Sequence, residues 1–426
     1  MLNSIVEIAL TVFVTLMLIA QLIALRFRIP YTVALVLIGI CITALSTAVL
    51  SNGSVSGTFF VSIQWIESLY NQLVDSGLFV GLIVPPLIFE AMMHIRRDEL
   101  SAVIRQSLAL ATIGVLLSTA VATVLLWKLA GIPLVDALIF AAIISPTDTI
   151  TVLQIFKRIK APPRLSTMMD MEAAFNDATA IVLFSIILSS IGFTHSTVLL
   201  TGAATFIYSF LGGGVIGILV AYTARYIHTR VDDKLAGITL TIAAVYGAYV
   251  MATGIGTSGL IAVAIVGLYF GNSTMKMAVS KRVKGAILSF WEIAAFVGNT
   301  VAFLFIGFVA NLTLFFTAGT LVLIAFAATI IARAATVYPI FAAFNYAGRK
   351  EIPLRWGNIA TLGGVRGALS IALLATLAAS GVVAATHVST IATMVLGVVF
   401  ISIMIQVPIL SRYATKLFGM RHRVRD

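Results

Sequence analysis

Charged side chains are the scarcest class in this chain. Only 10% of its 426 residues are Asp, Glu, Lys or Arg, whereas 60% are hydrophobic. A soluble globular domain carries about a quarter charged residues, so this composition excludes an ordinary soluble fold. The single cysteine, Cys41, excludes a disulfide within one chain. The chain has long apolar runs from one end to the other, and runs of about 20 residues are long enough to cross a bilayer.

We predict an all-α polytopic membrane protein with about thirteen transmembrane helices. Each predicted segment is an apolar run bounded by polar or charged residues. In chain order the segments are 4–25, 31–50, 77–94, 106–130, 134–156, 165–191, 196–224, 235–252, 256–272, 285–309, 313–345, 357–380 and 388–411.

Basic side chains occur in every second loop. Of the 27 Lys and Arg residues, 24 follow an odd-numbered segment. The opposite loops contain only Lys128, and the other two basic residues, Arg333 and Arg366, lie inside segments. Cytoplasmic loops carry the excess of Lys and Arg, so we expect the N-terminus outside and the C-terminus in the cytoplasm, in a prokaryotic plasma membrane. The net charge of +11 is thus an orientation signal, and we expect no nucleic-acid partner.

The parity of the segments predicts an internal repeat. Six segments, a seventh and six more give two halves of opposite orientation, as inverted repeats in transporters require. The fifth segment of each half contains residues that break a helix, and these two sites carry the inference.

The first break lies in segment 5, at Ser145-Pro-Thr-Asp148. Pro146 removes one helical hydrogen bond and obstructs another. Irregular backbone at this depth is tolerated only inside protein or beside water, and its free carbonyls can bind a small cation. Asp148 would add a negative charge. The simpler alternative is a proline kink with a buried, neutralised Asp148.

The second break lies in segment 12, at Gly363-Gly-Val-Arg-Gly367, where three glycines weaken the helix. Opposed half-helix ends carry partial charges that Asp148 and Arg366 could compensate where the two segments cross. The alternative is close packing through glycine, with Arg366 reaching an interface.

Segment 6 contains the third cluster, with Glu172, Asn176 and Asp177. A carboxylate buried here must be protonated, paired or bound to a cation. One site that holds either a proton or a cation is the chemistry of exchange. The alternative is a structural Glu172–Arg366 ion pair with Asp177 merely hydrogen-bonded.

Five other polar residues have less definite expectations. Glu90, after Pro85-Pro86, faces the same cavity as a secondary ligand or has a structural role. Glu292 and Asn299 share one face of segment 10 and are expected to be structural. Arg333 is expected to neutralise one of the acids or to bond freed carbonyls. We expect Asp170 near an interface.

Three strings together resemble the cation:proton antiporters of the NhaP and sodium–proton exchanger type. They are Ser145-Pro-Thr-Asp148, Glu172-Ala-Ala-Phe-Asn-Asp177 and Gly364-Val-Arg-Gly-Ala-Leu-Ser370. The strings Pro85-Pro-Leu-Ile-Phe-Glu-Ala91 and Phe290-Trp-Glu292 are also similar to that family.

The resemblance implies unwound, crossing helices 5 and 12, a homodimer and an elevator-type movement. It implies scaffold helices in residues 1–100 and 235–309, core helices in 101–191 and 313–420, and a linking helix in 196–234.

The resemblance also implies the site. Asp177 becomes the carboxylate shared by proton and cation, and Asn176 before it marks the electroneutral branch. Asp148, Thr147 and Glu90 become further cation ligands, with Na⁺ held by Asp177, Asp148 and Thr147. Glu172 and Arg366 become a structural ion pair.

The chain departs from the family where serine often follows the glutamate of segment 6. Ala173 stands there, and Met171 stands where glycine is common. If that serine is a cation ligand, this chain lacks it, and water or a backbone carbonyl would have to substitute.

The predicted function is electroneutral exchange of Na⁺ or Li⁺ for a proton by alternating access, in a protein that is not an enzyme and needs no cofactor. The alternatives are a potassium/proton antiporter and a cation channel, although no filter-like string such as Thr-Val-Gly-Tyr-Gly occurs. An intramembrane protease using Asp148 and Asp177 is a third class, but two core arginines fit it poorly.

Overall fold

The structure is a computed structural model that describes residues 2–27, 29–51, 79–95, 97–148, 150–191, 195–230, 232–274, 280–309, 318–347 and 352–423. Every regular element in these ranges is helical, and none of them contains a strand. The prediction of an all-α protein is therefore confirmed.

The described helices are labelled in chain order. They are α1 (Leu2–Phe27), α2 (Tyr31–Ser51), α3 (Val84–Met93), α4 (Arg97–Ala109), α5 (Val115–Leu129), α6 (Leu134–Ile144), α7 (Ile150–Ile159), α8 (Pro163–Ser190), α9 (His195–His228), α10 (Lys234–Gly254), α11 (Gly259–Tyr269), α12 (Lys281–Val309), α13 (Gly319–Tyr346), α14 (Leu354–Leu362), α15 (Ala368–Ser380), α16 (Ala385–Ile401) and α17 (Val407–Arg423). Single π-helical turns join α4 to α5 at Leu110–Gly114 and α16 to α17 at Ser402–Gln406.

Many of these helices are apolar enough to cross a bilayer. Seven described stretches meet that requirement by length and composition: Ser101–Leu129, Pro163–Ser190, Gly202–His228, Lys234–Gly254, Lys281–Phe308, Gly319–Tyr346 and Ala385–Phe418. Shorter apolar helices are Thr11–Phe27, Tyr31–Leu45, Val80–Met93, Leu134–Ile144, Gly259–Asn272 and Leu369–Ser380. Each predicted segment overlaps one of these stretches.

The outer surface of the helices is apolar. Along α9, large side chains such as Leu211, Val215, Ile218 and Tyr222 are all more than half exposed. Such a continuous apolar face is what lipid tails cover in a spanning helix, whereas in water it would mark an interaction surface.

The helices pack in two groups. Helices α1–α3 and α10–α12 contact one another, and so do α4–α8 and α13–α17. We call these the first and second groups. Between them, α8 packs against α3 and α11, α15 packs against α12, and α9 lies along α10 and α11 with further contacts to α8.

Close glycine contacts tie the first group together. A Cβ on Gly39 of α2 would lie only 2.7 Å from the Cα of Gly307 in α12. Small residues at this crossing let the two backbones approach directly, as in tightly packed membrane helices.

Two interruptions lie within the second group. Residues 145–148 separate α6 from α7, and residues 363–367 separate α14 from α15. The backbone N–H of Asp148 donates to the carbonyl of Val365 across 2.7 Å. The two helix breaks predicted from Pro146 and the glycines therefore contact each other directly.

Candidate functional site

The first break, residues 145–148, exposes backbone carbonyls that a continuous helix would use. Pro146 has no N–H to donate, and the Ser145 hydroxyl donates to the Ala142 carbonyl at 2.8 Å. Arg366 Nη1 donates to the carbonyls of Ser145 at 2.7 Å and of Pro146 at 3.1 Å. The buried guanidinium of Arg366 thus satisfies carbonyls that would otherwise be unpaired in an apolar interior.

The second break, residues 363–367, depends on glycine for close approach. A Cβ on Gly367 would lie 2.6 Å from the Cβ of Asp148, and one on Gly364 would lie 3.0 Å from Nε of Arg333. A larger residue at 367 would overlap the Asp148 side chain, and one at 364 would press against Arg333. The glycines therefore admit Asp148 and Arg333 to the break.

The π-helical turn between α16 and α17 supports the second break. The N–H of Arg366 donates to Oγ of Ser402 at 3.0 Å, and Ser402 in turn donates to Oε1 of Gln406 at 2.8 Å. Gln406 Nε2 donates to the last carbonyl of α14, at Leu362, across 2.7 Å. This chain of hydrogen bonds fixes the interrupted backbone from its buried side.

The buried arginines have different partners from those expected. Glu172, which is fully buried, forms its ion pair with Arg333 of α13. Arg333 Nε also donates to the carbonyl of Ala360 in the last turn of α14, at 3.2 Å. No ion pair between described residues joins Glu172 to Arg366, so the predicted pair is corrected to Glu172–Arg333. Arg366 donates from Nη1 to the carbonyls freed by Pro146 and interacts with Glu172 only electrostatically, at longer range. Arg333 does both things expected of it.

A cavity of about 80 Å³ lies where the two helix groups meet. On α8, the residues that line it are Asp170, Ala173, Ala174 and Asp177, whose spacing places them on one helix face. The remaining lining residues are Val84, Leu87, Ile88, Ala91, Pro146, Thr147, Asp148, Asn299, Ala302, Phe303, Gly367, Leu369 and Ser370. Because a water molecule needs about 10–15 Å³ of such space, the cavity has room for a small cation and several waters.

Three carboxylates line this cavity, those of Asp148, Asp170 and Asp177. Asp177 and Asp148 both line it, both are half-buried, and their negative charges repel each other. No ion pair between described residues includes Asp177. Two bare carboxylates in so confined a space are costly, so the site favours a bound proton or cation.

Asn176 has a different place from Asp177. It is fully buried, does not line the cavity, and donates from Nδ2 to Oγ1 of Thr147 at 2.6 Å. The Thr151 hydroxyl donates to Oδ2 of Asp148 at 3.4 Å and shares a hydrogen bond of 2.8 Å with the Thr32 hydroxyl. Asn176 therefore holds the first break in place and brings no charge.

The structure gathers most of the predicted ligands. Asp177, Asp148 and Thr147 line one cavity, and Asn176 contacts Thr147. Glu90 is not among the lining residues; its Oε1 lies 3.4 Å from Nδ1 of His94. Glu90 interacts electrostatically with Asp170, which does line the cavity.

Three polar residues that line the cavity were not predicted as ligands. Asp170 was expected near an interface, Asn299 was expected to be structural, and Ser370 was noted only as part of a string. The spacing of seven residues between Asp170 and Asp177, two helical turns, is the one signal that places Asp170 on the Asp177 face. For Asn299 and Ser370 only tertiary packing decides.

Comparisons with known proteins agree along most of the chain. The family model described as "Sodium/hydrogen exchanger, transmembrane" matches residues 11–416. The Na⁺/H⁺ antiporter NhaS2 of Synechocystis is 31% identical over 366 residues, which cover 84% of this chain and 62% of that protein. The Na⁺/H⁺ antiporter NhaP of Pseudomonas aeruginosa is 30% identical over 352 residues, 80% of this chain and 82% of that protein.

A solved structure shares the fold. The sodium proton antiporter MjNhaP1 from Methanocaldococcus jannaschii superimposes with a TM-score of 0.73 at 22% identity, over 97% of this chain and 100% of that one. The chain spans only 62% of the length of NhaS2 and of ApNhaP from Aphanothece halophytica. On the family match and these relatives, the chain is an integral membrane protein that belongs to the sodium/hydrogen exchanger family.

Proposed function

We propose that this protein exchanges one Na⁺ or Li⁺ for one proton without net movement of charge, and that Asp177 is the group both ions share. The observation that carries the proposal is the cavity at the two breaks, where Asp177, Asp148 and Thr147 lie together. The relatives named as Na⁺/H⁺ antiporters support it.

The chemistry of exchange follows from the cost of a bare carboxylate. Asp177 cannot pass through an apolar interior as an anion, but it can pass when protonated or bound to a monovalent cation. In either form one bound positive charge neutralises the carboxylate. One cation therefore moves in exchange for one proton. Glu172 adds no charge to this balance because Arg333 compensates it.

An elevator-type movement accounts for alternating access. Helices α3 and α12 of the first helix group line one side of the cavity. Helices α8 and α15 and the break at residues 145–148, all in the second helix group, line the other side. In the proposal, the second group carries Asp177 past the first group, so that the cavity opens to one side at a time. The first group then serves as the scaffold and homodimer contact, α9 links the groups, and segments 1–6 and 8–13 form two inverted repeats.

A cation channel is the alternative that the breaks themselves would permit, because freed carbonyls line conducting pores as well. A potassium/proton antiporter is the other, since Ala173 leaves α8 without a hydroxyl at the cavity. The two alternatives differ from the proposal in current and in ion preference.

Cation-induced proton movement in proteoliposomes tests the proposal. Na⁺, Li⁺ and K⁺ are added in turn, with the membrane potential either clamped or imposed. We expect proton movement with Na⁺ and Li⁺ whose rate is insensitive to the potential. A current without coupled proton movement would favour the channel, and proton movement with K⁺ alone would favour the potassium antiporter.

A further inference from the structure

Ser370 has a buried hydroxyl with no hydrogen-bond partner among the described residues. It lines the cavity of Asp148 and Asp177, its side chain is 1% exposed, and its Oγ is unpaired. A buried polar atom without a partner is costly and rare in folded proteins, so each one calls for an explanation.

Other hydroxyls in these helices donate to a backbone carbonyl of their own helix. Thr376, in the same helix α15, donates to the Ala372 carbonyl at 2.9 Å, and Thr329 and Thr336 of α13 bond the carbonyls four residues earlier in the same way. Ser370 is the third residue of α15, and the residue four positions before it, Arg366, lies in the second break. The usual carbonyl acceptor is therefore missing, and the oxygen remains available to the cavity.

The cavity has few other neutral oxygens. Ala173 and Ala174 occupy the face of α8 between its two aspartates and offer no side-chain oxygen. Thr147 Oγ1 already accepts from Asn176, so among the described lining residues the buried neutral side-chain oxygens without a partner are Ser370 Oγ and, in α12, Oδ1 of Asn299. A small alkali ion that leaves water needs several oxygens to replace its hydration shell.

We propose that Ser370 supplies a neutral oxygen ligand to the cation bound beside Asp148 and Asp177, and so sets the affinity of the site for cations. The inference rests on the proposed function and deepens it. A proton on Asp177 needs no such ligand, so Ser370 acts on cation binding and not on the protonated form.

The test replaces Ser370 with Ala and measures exchange against Na⁺ concentration. We expect the half-saturating Na⁺ concentration to rise roughly three- to tenfold, as for loss of one oxygen contact to an ion, with the maximal rate retained. Thr376→Val is the matched control: it removes a hydroxyl from the same helix outside the cavity, and its half-saturating concentration should equal that of wild type.

A second variant distinguishes a ligand from a structural role. Ala173→Ser places a hydroxyl on the same cavity from α8, and in the Ser370→Ala background it should recover part of the lost affinity. A Ser370→Ala protein with wild-type half-saturation would overturn the proposal. A fall in maximal rate alone, without recovery by Ala173→Ser, would also overturn it.

Cation-dependent thermal stabilisation separates this inference from the proposed function. Bound cation raises the melting temperature whether or not exchange occurs. If wild type binds Na⁺ but exchanges nothing, the proposed function fails while Ser370→Ala should still need more Na⁺ for the same stabilisation. Equal Na⁺ dependence of the two melting temperatures would contradict the role of Ser370.

Discussion

The two breaks each interrupt a helix but are opposite in chemistry. The first, at residues 145–148, contains a proline and an acid, and it presents Asp148 and Thr147 to the cavity. The second, at residues 363–367, contains glycines and Arg366, whose guanidinium points back to the carbonyls of the first. The second break thus satisfies backbone groups that the first one frees.

The largest expected effect concerns the buried charges beside the second break. Glu172→Gln leaves Arg333 as an unpaired buried cation and should destabilise the protein by about 3–5 kcal/mol. The Glu172→Gln, Arg333→Gln double variant should be less destabilised than the sum of the single variants. Thermal unfolding in detergent, followed by size-exclusion chromatography, measures each loss.

A parallel cycle between Glu172 and Arg366 checks the corrected pairing. Because Arg366 interacts with Glu172 at longer range than Arg333 does, the coupling between Glu172 and Arg366 should be smaller than that between Glu172 and Arg333. A larger coupling for Arg366 than for Arg333 would restore the pair expected from the sequence.

The next effect tests how far the first break depends on the second. Arg366→Gln removes a charged donor from two carbonyls and should cost about 3 kcal/mol, since each hydrogen bond to a charged group contributes roughly 1.5–3. Arg366→Lys keeps the charge with poorer geometry and should lose less. If the melting temperature of Arg366→Gln equals that of wild type, the carbonyls of Ser145 and Pro146 have another partner.

Close approach of the breaks is tested at Gly367. Gly367→Ala places a methyl group 2.6 Å from the Cβ of Asp148, so we expect most exchange activity to be lost with a smaller loss of about 1–3 kcal/mol in stability. Gly214→Ala in α9 is the control, because a Cβ there meets nothing within 4 Å. Full exchange by Gly367→Ala would show that the contact is not needed for transport.

The smallest effect is at Asn176. Asn176→Ala removes one hydrogen bond to Thr147. We expect the free energy of cation binding to weaken by about 1 kcal/mol, which is measured as a modest rise in the half-saturating Na⁺ concentration. Thr147→Val should have a similar effect, and the double variant should be little worse than either. Strictly additive losses would indicate that the two residues act separately.

The sequence was sufficient to locate both breaks and the central acid. Pro146 beside polar residues and three glycines within five residues, at 363, 364 and 367, predicted the two breaks, whereas the lone Pro339 lies inside a continuous helix. Asp177 is costly in any apolar segment. These inferences depend on local chemistry alone.

Partner assignments needed the folded protein. The sequence contains two intramembrane arginines, and only the rotation of α13 against α8 decides that Arg333 meets Glu172. The same holds for Glu90, which lies outside the cavity, and for Asp170 and Ser370, which lie inside it. Spacing gives the face of a helix but not its neighbour.

The most direct test of the account is exchange by Asp177→Asn in proteoliposomes, beside wild type at the same protein density. The variant keeps the size of the side chain and removes the group that both ions are proposed to share. We predict a folded protein of wild-type size on chromatography, with no proton movement on addition of Na⁺ or Li⁺. Exchange at the wild-type rate by Asp177→Asn would contradict the account, because the cavity would then move ions without its central carboxylate.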